Sequence, residues 1–302
     1  MGERFVLDGV NRRRLHGSDG DDVVRGSAES PWVWNGRRGL IELRRGDDLI
    51  EGGRFVRLDG QTSLGRGRDT VIGRDAITLL AVDAFQGNLG LGAGADRLQV
   101  PAGTLRVGED STVTLGDGED RIEAVAVQLS GATIETGRGA DRLELGDGSL
   151  SLGIDLGVLT MGRGRDRLIA RGGMRLADGT CAMGRGDDHV DVGSGGLNHW
   201  DSPANLLDLG AGDDRCIGFA TRPDQGAAAV PGAGLRGGGG RDTLVLPTGV
   251  YTVRAEEIRT ADSLLPIAGI NRLEGILGGS FRFAPGILTV NAAGVAAFVP
   301  AA

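Results

Sequence analysis

Lysine is absent from this chain: all 33 basic residues among 302 are arginine, and against 41 acids they leave a net charge of −8. The sign argues against a nucleic-acid-binding protein, and no basic segment is dense enough to reverse that. No run of 18 apolar residues occurs, which excludes a membrane-spanning helix. The N-terminal stretch MGERFVLDGVNRRRLHG lacks the apolar centre of a secretory signal peptide, so export, if it happens, takes another route. Aromatics make up only 4%. The three histidines, His16, His189 and His199, are scattered and form no catalytic constellation. The two cysteines, Cys181 and Cys216, sit at apolar positions of the repeat described below and read as small buried hydrophobes, with a disulfide between them as the other reading. Cysteine usage therefore does not decide the compartment.

Glycine, by contrast, is abundant at 56 residues, without the collagen period and with 40% hydrophobic residues, too many for a disordered linker. The stretch TGRGADRLELG, Thr136 to Gly146, shows how it is used: two glycines spaced by two, an aspartate two further on, then alternating leucines. The same frame is centred on Asp22, Asp48, Asp69, Asp96, Asp120, Asp141, Asp166, Asp188, Asp214 and Asp242, at steps of 21 to 28 residues. Glycine stands two before the aspartate in all ten copies and four before it in eight, Ser18 and Arg44 being the exceptions. Two after it the residue is always apolar, from Val24 to Leu244.

Glycines at alternate positions let a strand turn a tight corner, and the period-two apolar pattern on either side reads as strands with one buried face. A unit this short cannot bury that face alone and must stack on its neighbours. The expected fold is all-β: a parallel β-helix or β-solenoid of about ten coils over residues 1–246, with the corners in one column. The segments Gly26 to Gly39, Gly193 to Ser202 and Gly218 to Gly234 depart from the period and read as loops on the return side. After Leu246 the frame is expected to stop, and residues 247–302, with the Phe281 and Phe283 pair, to form a β cap over the open end.

Stacked coils repeat at about 4.8 Å, which files ten carboxylates at that spacing. Each neighbouring pair then repels by about 0.9 kcal/mol in bulk water and about 3.5 kcal/mol at an effective dielectric of 20. The column needs neutralising. A hard divalent cation taking carboxylate and carbonyl oxygens is one solution. Arginine is the other: Arg97, Arg121, Arg142, Arg167 and Arg215 directly follow the aspartate, where strand alternation points them outward.

The frame resembles the RTX family of calcium-binding repeats, GGxGxDxUx with U aliphatic. LGAGADRL at Leu91 to Leu98, LGDGEDRI at Leu115 to Ile122, LGAGDDRC at Leu209 to Cys216 and GGGGRDTL at Gly237 to Leu244 carry it best. The resemblance implies several Ca²⁺ ions held by the ten aspartates and corner carbonyls, a right-handed β-roll or β-helix, and type I export through an uncleaved C-terminal signal. The chain departs from the family in having one corner per coil, arginine within several corners, and mostly Leu, Met or Thr at the first glycine position. Arg68 and Arg165, directly before Asp69 and Asp166, should weaken metal sites there. Asp96, Asp120, Asp188 and Asp214 are the best candidates, three of them with an extra acid in Glu119, Asp187 or Asp213.

The expected function is that of a noncatalytic calcium-binding structural protein, extracellular or at the cell surface, able to associate end to end into filaments or a surface layer. One alternative is a β-helix polysaccharide lyase or epimerase-like enzyme, with Trp32, Trp34 and Trp200 as a possible sugar platform. The other is a metal-free scaffold with arginine-neutralised corners.

Overall fold

The computed structural model describes residues 1–79, 87–147, 150–198, 202, 204–220 and 233–301. His199, Trp200 and most of the Gly218 to Gly234 insert lie outside the described residues.

The alternating apolar pattern forms strands that stack in parallel, coil upon coil, into a β-solenoid of about ten turns. One coil shows the plan. Gln61–Arg66 runs into the glycine corner, Thr70–Gly73 leaves it, and Ala76–Leu79 follows after a second bend. Strands entering the corner stack in parallel on others that enter it, as Gln61–Arg66 does on Leu40–Glu42 and Asn88–Ala93. The strands leaving the corner and those after the second bend belong to the other large sheet.

The apolar residues two after the aspartate form one unbroken internal file. Val24 pairs in register with Ile50, Ile50 with Val71, Val71 with Leu98, and so on through Cys216 and Leu244. Every one of the ten is fully buried. Leu89 and Leu91, Val113 and Leu115, and Leu207 and Leu209 face them from the entering strands, closing a narrow core. Cys181 and Cys216 are part of that core as free thiols, and burial pushes both up to about 12.

Two expectations need correcting. The inserts are not simply loops: Gly26 to Gly39 contains the strand Val33–Asn35, stacked on Phe55–Leu58 with Val33 fully buried, and Leu197–Asn198 likewise joins its neighbours after a 3-10 turn at Gly193–Gly195. Nor does the frame stop at Leu246. Leu264–Ala268 stacks in parallel on Gly234–Arg236, and Ile270–Gly275 on Asp242–Leu246, pairing Leu244 with Leu273. This is a further coil, built on the sequence GINRL, with Gly269 and Leu273 in the frame positions and Asn271 where an aspartate would stand.

Around that coil the pairing turns antiparallel. Gly249–Val253 pairs with Glu257–Arg259 and Gly286–Val290, and Gly286–Val290 with Ala296–Pro300. Phe281 and Phe283 pack partly buried against the core, Phe281 with Phe298 at 5.9 Å between ring centres.

Candidate metal column

The corner is built by glycine's freedom at two positions. Gly92 and Gly94 have φ of 113° and 150°, values that side chains rarely adopt, and a Cβ on Gly94 would run into the carbonyl oxygen of Gly67 in the coil before. Close stacking of corner on corner therefore admits hydrogen alone.

That stacking brings all ten predicted aspartates together. They lie in one file inside the corner, each at most 2% exposed. One carboxylate oxygen is spoken for. The backbone N–H of Asp22 donates to Asp48 Oδ1 at 2.8 Å, that of Asp48 to Asp69 Oδ1 at 2.9 Å, and that of Asp69 to Asp96 Oδ1 at 2.8 Å. The ladder continues through Asp120, Asp141, Asp166, Asp188 and Asp214 to Asp242. Two residues not singled out from the sequence terminate it: the N–H of Glu3 donates to Asp22 Oδ1, and that of Asp242 to Oδ1 of Asn271, each at 2.6 Å. The GINRL frame was the readable signal for Asn271; its amide takes the aspartate's accepting role without the charge.

The other oxygen is different. In Asp48, Asp69, Asp96, Asp120, Asp141, Asp166, Asp188, Asp214 and Asp242, Oδ2 is buried with no hydrogen-bond partner. Asp22 alone is satisfied, its Oδ2 accepting the N–H of Ser18 at 2.8 Å. The residue five back, at the first position of the motif, stands beside this oxygen. At Gly237 a Cβ would stand 2.6 Å from Asp242 Oδ2. In the inner copies that position holds Leu43, Leu64, Leu91, Leu115, Thr136, Met161, Met183 and Leu209, all buried. Mostly apolar walls thus stand beside the carboxylates. Desolvation accordingly raises their pKa values, to about 6 for Asp48, Asp96 and Asp166 and about 7 for Asp69, Asp120, Asp188 and Asp214. Asp141 and Asp242 shift the same way for the same reason. The N–H from the preceding coil opposes the shift without cancelling it.

Among the described residues no arginine pairs with the file. The residues directly after the aspartates point outward, as alternation predicts, and find acids there: Arg121 pairs with Glu123 and Glu144, Arg142 with Glu144, and Arg215 with Glu274. Residues directly before the aspartates also lie outside. Arg68 pairs with Asp47 and Arg165 with Asp187, each at 3.1 Å, so neither guanidinium faces the column. By the same alternation Glu119, Asp187 and Asp213 are exposed, on the opposite side of the chain from the carboxylates they were expected to assist.

Among the described residues no three His, Cys, Asp or Glu side chains converge on one point. A cation in the column would be held by successive aspartates with backbone carbonyls making up its oxygen shell. The carboxylates present hard, negative oxygens, and the mostly apolar side chains at the first motif position add no donor to them.

The other candidates fall outside the column. Trp32 stacks on Phe55 with ring centres 5.4 Å apart, as packing. His189 is flanked in register by Arg167 and Arg215, and burial, with those charges, lowers its pKa. No protein-family model matches the chain, and no curated protein matches it in sequence. The class defined here is thus the parallel β-solenoid with an internal aspartate ladder.

Proposed function

We propose that the protein is a noncatalytic structural β-solenoid whose corner column takes up calcium. One observation carries this reading: nine buried carboxylates in a single file, each with an oxygen that nothing among the described residues satisfies. A buried unpaired polar group costs about 1–3 kcal/mol, and more when charged, so a bound cation that pairs with it stabilises the folded chain by the same contact. Calcium would supply charge neutralisation between coils, and its preference for oxygen matches what the corner presents. The RTX resemblance points the same way and, with it, to an exported protein that folds where calcium is plentiful.

The test is a pair of thermal melts near neutral pH, on protein stripped of metal and dialysed, with and without millimolar Ca²⁺. Binding to the folded state alone raises the midpoint by mass action, with about 2.7 kcal/mol gained for each site at a hundredfold excess over Kd. An unchanged midpoint removes calcium from the account.

A second reading rests on the apolar side chains beside the inner carboxylates. In it the column is metal-free, the acids stay protonated well above their ordinary range, and the ladder to backbone N–H groups is purely structural. The two readings separate in the melts, because only the first responds to the ion.

A further inference from the structure

Away from the column, the first three coils form a basic cleft of about 460 Å³, lined by Val10, Arg12, Trp34, Arg37, Arg38, Arg57 and Asp59. Val10, Trp34 and Arg57 occupy one register on successive strands, and so form the floor of the cleft. Arg57 lies 4.7 Å over the Trp34 ring, and its Nε donates to Asp59 at 2.7 Å. Asp59, buried to 2% exposure, also accepts the Trp34 indole N–H at 3.0 Å. The one acid among the described lining residues is thereby spent on holding Arg57 and Trp34 in place.

Two guanidinium groups of the lining, those of Arg12 and Arg38, then remain to face a ligand. Arg12 and Arg38 are exposed and form no ion pair with a described acid. The turns that carry them are anchored from beneath by two buried asparagines. Asn11 Nδ2 donates to Asn35 Oδ1 at 2.9 Å, Asn11 Oδ1 accepts the N–H of Arg13, and Asn35 Nδ2 reaches the carbonyl of Gln61 and the hydroxyl of Thr62. The backbone beside the two arginines is thereby held in place. A concentration of uncompensated positive charge in a chain of net charge −8, set in a concavity of ligand size, is a site for an anion. Guanidinium suits planar, forked hydrogen bonding to oxyanions, and several groups together suit a ligand with more than one.

We propose that this cleft binds a small multivalent oxyanion, one carrying at least two phosphate or carboxylate groups. Phosphate esters and acidic sugars share that chemistry, and titration separates them. The full-length protein, free of chelator and metal, is titrated by calorimetry at low ionic strength with pyrophosphate and with a trimeric uronate oligosaccharide. The Arg12→Gln/Arg38→Gln double variant and an Arg282→Gln control from the C-terminal region are titrated in parallel. Saturable heat with either ligand, weakened by salt and reduced at least about tenfold in the double variant but not in the control, supports the site; the ligand that binds names its source. Both arginines of the double variant are exposed, so its melting point should match that of the parent and exclude misfolding. An Arg38→Glu variant should reduce binding further by repulsion. The proposal is overturned if neither ligand binds, or if the double variant binds as tightly as the parent.

Discussion

Asp96 shows what the corner asks of one residue. Its Oδ1 accepts the N–H of Asp69 at 2.8 Å, while its Oδ2 is buried and unpaired, with Leu91 at the first motif position. An amide would serve the first role and drop the charge from the second, the substitution that Asn271 already represents at the end of the ladder. We expect Asp96→Asn to stabilise the metal-free protein at neutral pH, because it removes the charge that desolvation penalises, and by less than that whole penalty, because the amide NH2 then takes the buried place of Oδ2 without a partner. The same change should shrink the increment that calcium adds. Urea melts of both proteins, with and without the ion, read the two effects together. Lower stability of the variant in the absence of metal would mean that the carboxylate is not a burden.

At the scale of the element, the strand Asn88–Ala93 and its corner carry three glycines with different duties. Gly94 stands where a Cβ would strike the Gly67 carbonyl, at φ of 150°, while nothing lies within 4 Å of a Cβ on Gly90. Gly94→Ala should therefore cost more than the roughly 1–3 kcal/mol of backbone strain alone, because a clash with backbone is added. Gly90→Ala should stay within about 0.5 kcal/mol. Denaturation midpoints of the two variants measure the difference, and equal midpoints would contradict this stacking. The entering strand, the corner and the leaving strand were all legible in the repeat, since each has a fixed place relative to the aspartate. Val33–Asn35 was not, because its segment breaks the period and its burial depends on Phe55–Leu58 of the following coil. The coil at GINRL was hidden for another reason: asparagine replaces the residue that defined the frame, although glycine and leucine keep their spacing.

The molecule as a whole sums the column, and this gives stability a definite dependence on pH. Seven of the carboxylates have folded-state pKa values of about 6 to 7, above the ordinary 3.8. Between those limits the folded chain holds more protons than the unfolded one, so stability falls as pH rises. The contribution is fully present below about 3.8, is lost progressively up to about 7, and is flat above. Glu144, Glu257 and Glu274, lowered by their arginine partners, work in the opposite sense but only in the acid range. Metal-stripped protein should melt at a lower temperature at pH 7 than at pH 5, and calcium should restore much of the loss at the higher pH. A midpoint that climbs between pH 5 and pH 7 without metal would show that the column is not desolvated.

The sequence alone was enough for the repeat, the inward and outward faces and the alignment of ten carboxylates, because period-two alternation and the glycine corner act over a few residues. Alternation also put the neighbouring arginines outside. Only the tertiary structure decided what each carboxylate touches. Its hydrogen-bond donor comes from a residue 19 to 28 positions away, and the apolar neighbour of most of them from a motif position where the repeat departs from the pattern it resembles. The basic cleft likewise exists only once three coils align Val10, Trp34 and Arg57, since no short segment holds that set together.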